Sequence, residues 1–215
     1  MTDNSKDEFI EIARIKEEFI ANASHELKTP IASVRLAAES ALTSLERDDG
    51  MTKSFLEQIL RDSDRMNELI SDLLDLSAME SSDVFMETFD LHDVIANEIS
   101  YLSKQNKKRI SYKKKKVEIN ANFDDISLAV KNLIKNALKY SPPEENILIQ
   151  IEENDKSVRC SFQDFGSGIS KSDQEKIFER FYRVDKGRSR KVGGTGLGLA
   201  IVKHALDRNL SLIHI

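Results

Sequence analysis

The chain has 215 residues, 40% hydrophobic and 32% charged, with 32 Lys and Arg against 37 Asp and Glu. A net charge of −5 gives no general reason to expect nucleic-acid binding, and the single cysteine, Cys160, excludes an internal disulfide. No apolar run is long enough to span a bilayer, and the opening "MTDNSKDEF" is not a signal peptide, so the chain as given reads as soluble, in a reducing compartment.

From Ile12 to Leu45, apolar residues recur at steps of three and four, which predicts one long amphipathic helix. "ERDDGMT" breaks it, and a second helix follows over residues 53–80, with Ile59, Met66 and Leu73 seven apart. Two such helices cannot bury both apolar stripes alone, so the hairpin is expected to pair with a second copy as a four-helix bundle. The character changes near residues 80–88. "FDLHDVIANEISYLSKQ" reads as one helix opened by an Asp90 N-cap, and "RISYKKKKVEINAN" as two short strands around a lysine-rich turn whose tip is solvated. A helix then covers "DDISLAVKNLIKNALKYS", stopped by Pro142 and Pro143. "NILIQIEEN" and "SVRCSFQDF" form a strand pair, with Cys160 as a small buried apolar residue. A glycine-flanked turn, a polar stretch and a last helix after "GGTGLG" complete an α/β domain beside an α-helical one.

Within the first helix, "ASHELKTP" sets His25 roughly 200° around from both Ala23 and Leu27, facing water. Glu26 is adjacent, Thr29 lies one turn on over the same face, and Pro30 removes a hydrogen bond to the Glu26 carbonyl, so a bend is expected here. A neutral imidazole with a neighbouring carboxylate suits nucleophilic catalysis. One ring nitrogen attacks while the carboxylate fixes the proton on the other, and Thr29 could position a water. His92, His204 and His214 read as structural or solvent-facing.

The second half offers phosphate chemistry. Asn132 and Asn136 lie one turn apart on one helix face, and carboxamide oxygen is a hard ligand suited to magnesium. Lys139 and Tyr140 follow a turn later, the lysine able to pair with phosphate. Asp164 sits just past a strand end, where Gly166 and Gly168 would let a flat ligand approach the backbone. Gly193, Gly194, Gly196 and Gly198 precede an apolar helix whose positive end would cradle phosphate. This is not a P-loop, since no Gly-Lys-Ser/Thr closes it, and Leu199 stands where a dinucleotide fingerprint has its third glycine.

Taken together, these segments resemble a sensor histidine kinase of the HisKA type over nearly the whole chain. "ASHELKTP" looks like that family's H-box, "NLIKNALKYS" its N-box, "DFGSGIS" its G1 box, "FERFYRVD" its F-box and "GGTGLGL" its G2 box. The resemblance implies a helical dimerisation and histidine-phosphotransfer domain over residues 1–82. It also implies an α/β-sandwich ATP-binding domain of Bergerat type over residues 89–215. It implies ATP and Mg2+ as ligands, phosphorylation of His25, Glu26 as base or orienting group, and Thr29 aiding a water in regulator dephosphorylation. Asn136 would bind the metal and Asp164 the adenine amino group. Asn132, Lys139, Tyr140, Gly166, Gly168 and the Gly194, Thr195, Gly196, Leu197 and Gly198 run would line the nucleotide site. Residues 170–192 would form a mobile lid, with Arg183 contacting the transferred phosphate. The implied partners are a second copy and a response-regulator receiver domain, not nucleic acid. The implied location is cytoplasmic, as the soluble portion of a membrane sensor.

One departure stands out. Family members continue past the last helix with a glycine turn and two strands, whereas here "LDRNLSLIHI" follows, so an ATP-binding domain lacking its last strands is expected to fold poorly. Two other functions fit the same residues: a Bergerat-fold ATPase without histidine phosphorylation, and an inactive dimeric scaffold fragment.

Overall fold

The computed structural model of the chain describes residues 4–184, 194–211 and 213, with side chains from residue 14 onward. Two compact units emerge: Met1–Leu74 with Gly193–Thr195, and Asp75–Val192 with Gly196–Ile215. Among the described residues, no helix is long and apolar enough to cross a membrane.

The first unit is built from α1 (Asn4–Arg47) and most of α2 (Thr52–Ser81), each running slightly past the span that periodicity predicts. α1 passes without interruption through the buried Pro30. The link is stabilised by its own polar groups. Asp48 and Gly50 take left-handed backbone angles (φ 52° and 73°), and the Asp49 carboxylate accepts from the Ser44 hydroxyl and, at 3.0 Å, from the Met51 amide. Those two donors, the Ser44 hydroxyl foremost, hold the Asp49 carboxyl below its ordinary range. Ala37, Ala41 and Ser44 on α1 and Leu69 and Asp72 on α2 are buried. The helices are cross-tied where the Ser33 hydroxyl donates to Asp62 at 2.6 Å and accepts from Gln58 at 3.0 Å.

A second apolar stripe is left outside. Ile20, Ile31, Leu42 and Leu45 on α1 are exposed and fall within about 60° of arc at 100° per residue. On α2, Leu56, Leu60, Ile70 and Leu74 are exposed and span about 80°.

The second unit has two small sheets. β1 (Glu87–Asp90) pairs antiparallel with β3 (Glu118–Ala121), Glu87 opposite Ala121. β2 (Ile110–Tyr112) runs parallel to β4 (Ile147–Asn154), which pairs antiparallel with β5 (Ser157–Gln163), giving the order β2-β4-β5. The sheet is therefore mixed. α3 (Leu91–Ser100) and α5 (Phe123–Tyr140) bury Val94, Ile95, Val130, Ile134 and Ala137 against Ile147, Ile149 and Ile151 of β4 in one continuous core. The alternation of buried and exposed residues along β4 is that of a half-covered strand. After the short α6 (Lys171–Gln174), α7 (Gly198–Arg208) packs on α5, and Arg208 donates to the buried Asp125 carboxylate at 3.0 Å and to the Met79 carbonyl.

Three expectations are corrected here. β2 and β3 are not a hairpin around the lysines. They belong to different sheets, and four consecutive like charges make a poor tight turn but a well-solvated crossing. The helix predicted over residues 89–105 breaks after Ser100. Ser103 adopts extended backbone and caps a separate short helix, α4 (Lys104–Lys108), by accepting from the Asn106 amide. β1 has no counterpart in the predicted elements. It ends on Asp90, whose carboxylate does cap α3 by accepting from His92 N at 2.9 Å, as predicted, while also accepting from Val117 N at 3.1 Å.

Candidate functional site

His25 is exposed on α1, as its position relative to Ala23 and Leu27 demands. Its carbonyl accepts from the Thr29 hydroxyl at 3.4 Å, one turn on, so the two side chains share a face. Glu26, half-buried, meets Arg65 of α2 at 3.3 Å. Arg65 carries no local mark of this role, because its contact spans 39 residues. The first unit thus presents an imidazole to solvent with a carboxylate in the adjacent position, held by a cation from the facing helix.

In the second unit, Asn132 and Asn136 lie one turn apart on α5, which Asn122 opens by accepting from Asp125 N at 2.9 Å. Asn132 is buried and donates to the Leu128 carbonyl at 2.9 Å, which fixes its amide and turns its oxygen outward from the helix. That oxygen faces the start of α7. A Cβ on Gly198 would lie 3.0 Å from Asn132 Oδ1 and 3.9 Å from Asn136 Nδ2. A side chain at 198 would oblige the Asn132 amide to give by a few tenths of an ångström, so glycine suits this close approach. Leu197, fully buried, occupies the N-cap of α7, and among the described residues no side chain caps the helix. The first backbone N–H groups of an eleven-residue helix thus sit beside two carboxamides.

The far end of α5 is joined to the segment after β5. Ser141 accepts from the Phe165 amide at 3.0 Å, and a Cβ on Gly166 would lie 2.8 Å from the Tyr140 carbonyl. Asp164 is exposed and accepts from Gly166 N at 2.8 Å, in a tight turn that presents one carboxylate oxygen. Tyr140 is half-exposed, with Lys139 Nζ 5.8 Å from its ring centroid. The loop has a further support that the sequence did not reveal. Arg109, read only as the start of a strand, donates to the carbonyls of Leu138 (3.3 Å), Ser141 (3.3 Å), Pro142 (2.8 Å) and Glu145 (3.2 Å).

The "FERFYRVD" stretch is held by side chains rather than by regular structure. Arg180 bonds Glu80 at 2.6 Å, and the Tyr182 hydroxyl donates to Asp173 at 2.6 Å. Phe181 takes a left-handed angle, φ 64°, and its amide donates to the Gly196 carbonyl at 2.9 Å. Gly196 itself has φ 75°, and a Cβ there would lie 2.9 Å from the Phe181 backbone. Arg183 is half-buried nearby in sequence, and Gly168 makes an open turn at φ 71°.

The structure therefore brings Asn132, Asn136, Leu197 and Gly198 together, and separately Tyr140, Asp164 and Gly166. Gly194 and Thr195 group with the first unit, where the Thr195 hydroxyl donates to Asp72 at 2.5 Å. Gly193 and the later part of the predicted lid, residues 185–192, lie outside the described residues. So do Leu212, His214 and Ile215 of the tail; Leu210 and Ser211 belong to no strand. Among the described residues no group of three or more His, Cys, Asp or Glu side chains is placed to hold a metal ion. A divalent cation fits this site only where carboxamide oxygen and a ligand's own oxygens complete its shell, the mode magnesium favours.

Comparison with known proteins bears on both units. The family model "His Kinase A (phospho-acceptor) domain" matches residues 15–82. That of "Histidine kinase-, DNA gyrase B-, and HSP90-like ATPase" matches residues 121–212. The chain is 34% identical over 210 residues to the sensor-like histidine kinase SenX3 of Mycolicibacterium smegmatis, covering 92% of this chain and 53% of that protein. It is 36% identical over 200 residues to the sensor histidine kinase WalK of Bacillus subtilis, covering 89% of this chain and 33% of that one. The chain thus spans about half the length of the first relative and a third of the second. Among solved structures, the Acinetobacter baumannii histidine kinase AdeS shares the fold, with a TM-score of 0.62 at 22% identity over 86% of both chains.

Proposed function

We propose, from the premise that this chain belongs to the sensor histidine kinase family, that it carries the terminal phosphoryl group of ATP to His25 and on to an aspartate of a response-regulator receiver domain. Residues 1–82 are the dimerisation and phosphotransfer domain in this reading, and residues 89–215 the ATP-binding domain. The observation that carries it is the close approach of Asn132 and Asn136 to the N-terminal end of α7 at Gly198, where helix N–H groups lie beside two carboxamides.

In the proposed reaction a ring nitrogen of neutral His25 attacks the γ-phosphorus as the bond from phosphorus to the ADP oxygen breaks, so ADP leaves with that electron pair. Glu26 holds the proton of the other ring nitrogen and stabilises the cationic ring. Arg65, already bonded to Glu26, sets where that carboxylate points. The first amides of α7 bind phosphate oxygens, and Lys139 and Arg183 add positive charge. The exposed Asp164 accepts from the adenine amino group, with Tyr140, Gly166 and Gly168 against the base. Magnesium, when bound, neutralises phosphate charge, and Asn136 is the residue to hold it. Residues 170–192 act as the lid.

Thr29, on the same face as His25, orients a water for dephosphorylation of the regulator. The exposed stripes of α1 and α2 pair with those of a second copy as a four-helix bundle. The chain works in the cytoplasm as part of a longer sensor.

Calorimetric titration with MgATP tests the nucleotide half. His25→Ala should bind as the unsubstituted chain does, whereas Asn136→Ala should bind at least tenfold more weakly, with the difference shrinking when magnesium is chelated. Equal affinities for all three would remove the asparagine pair from the site.

A further inference from the structure

The lysine-rich crossing between the two sheets concentrates charge to a degree the rest of the chain does not. Residues 104–116 hold eight Lys and Arg and no Asp or Glu, in a chain where acidic residues outnumber basic ones. The one arginine there is turned inward, since Arg109 bonds four carbonyls. The lysines point out. Lys104, Lys107 and Lys108 on α4 and Lys113 and Lys114 after β2 are exposed, so the two clusters bracket the short strand that forms one edge of the β2-β4-β5 sheet. Lys115 and Lys116 meet Glu153 and Glu118 at 3.6 and 3.9 Å, so the outward charge of this face rests on the other five lysines.

Beside this surface lies an apolar foothold. Tyr101 is 77% exposed, the highest among the exposed aromatic residues described, and sits three residues before Lys104. With Leu102 and Ile134 it lines a shallow groove flanked by Lys131 and Lys135, with Glu98 as the acidic neighbour.

We propose that this face docks on an anionic phospholipid bilayer. Three features favour lipid over a folded acidic partner or nucleic acid. The outward cations of residues 104–116 are all lysine, point charges without the planar fork that reads a carboxylate or phosphate in a fixed geometry. The run "KKKK" has no spacing pattern to match a partner's register, and a laterally mobile lipid surface needs none. A single exposed tyrosine beside the lysines is the amphipathic side chain that settles at a headgroup layer.

The test is flotation of the full chain with vesicles of phosphatidylcholine alone or with 30 mol% phosphatidylglycerol, the conditions being about 50 and 300 mM NaCl. The chain should partition only to the anionic vesicles, and less at the higher salt. Each lysine near such a surface contributes about fivefold. Replacing Lys107, Lys108, Lys113 and Lys114 by Gln should therefore lower partitioning at least about tenfold even if the effects add poorly. Replacing the exposed Lys16, Lys28, Lys53 and Lys203 by Gln, the same change in net charge, should alter it less than about twofold. Tyr101→Ala should weaken partitioning by a similar factor at both salt concentrations, because its part is not electrostatic. Circular dichroism checks that each variant is folded. Binding to neutral vesicles, an equal loss in both quadruple variants, or tighter binding to a short DNA duplex than to anionic vesicles at equal phosphate would overturn the proposal.

Discussion

Replacing Arg109 by alanine should destabilise the second unit more than its surface position suggests. Its guanidinium donates to the carbonyls of Leu138, Ser141, Pro142 and Glu145 at 2.8 to 3.3 Å. Some of those acceptors are the unpaired carbonyls at the end of α5, where a cation is also favoured by the helix dipole. Taking about 0.5 kcal/mol for each of the three longer bonds and about 1.5 for the short one to Pro142 gives a loss of about 3 kcal/mol. With a urea dependence of about 2 kcal/mol per molar, the midpoint falls by about 1.5 M. Tyrosine fluorescence is the readout of choice. The chain has no tryptophan, and all four tyrosines, at 101, 112, 140 and 182, lie in the second unit. Arg109→Lys keeps the charge but loses the fork, so it should recover only about 1 kcal/mol. Because Ser141 anchors Phe165 N, nucleotide affinity should fall along with stability. A midpoint shift below about 0.2 M for the alanine variant would refute the reasoning, and full rescue by lysine would show that charge alone matters.

Gly196 and Gly168 make a controlled pair, since both have φ above +70° but only Gly196 faces the Phe181 backbone. Alanine at 168 should cost about 1 kcal/mol and alanine at 196 about 3 in the same urea experiment, and equal costs would dispose of the close-approach argument. Burial pushes the Cys160 thiol up to about 12 from 9.0. Its stabilising contribution is complete below the unfolded value and is lost as pH rises through the folded one. Iodoacetamide at pH 8 should accordingly label the native chain at least about tenfold more slowly than the urea-unfolded chain, and matching rates would mean the thiol is not sheltered. Aspartate at both Leu60 and Ile31 should shift the particle measured by light scattering from dimer to monomer, a result that an unchanged mass would contradict.

What the sequence disclosed follows from the range of the interactions involved. The long helices, the Asp90 cap and the β4-β5 pair were legible because periodicity, capping and hairpin pairing act between near neighbours. The parallel pairing of β2 with β4 was not, for it joins Ile110 to Ile147 across α5 and leaves no local mark. Nor was the break at Ser103, where a side-chain oxygen outcompetes helix continuation. In the site, Asn132 and Asn136 were visible from their spacing alone, but the reason they sit where they do is Gly198, 62 positions beyond Asn136 and adjacent only in the fold. Arg109 and Arg65 were invisible for the same reason. Each is an ordinary cation in its own stretch and acquires its role from carbonyls or a carboxylate about 30 to 40 residues away.

In the proposed reaction a solvent-facing imidazole at position 25 accepts phosphate from bound nucleotide. Incubating the chain with γ-labelled ATP and magnesium, then splitting the sample between acid and alkali, addresses it directly. Label that survives alkali, is lost in acid, and is missing from His25→Gln while that variant still binds MgATP is the predicted result. Label retained in the glutamine variant, or label stable to acid, would contradict it.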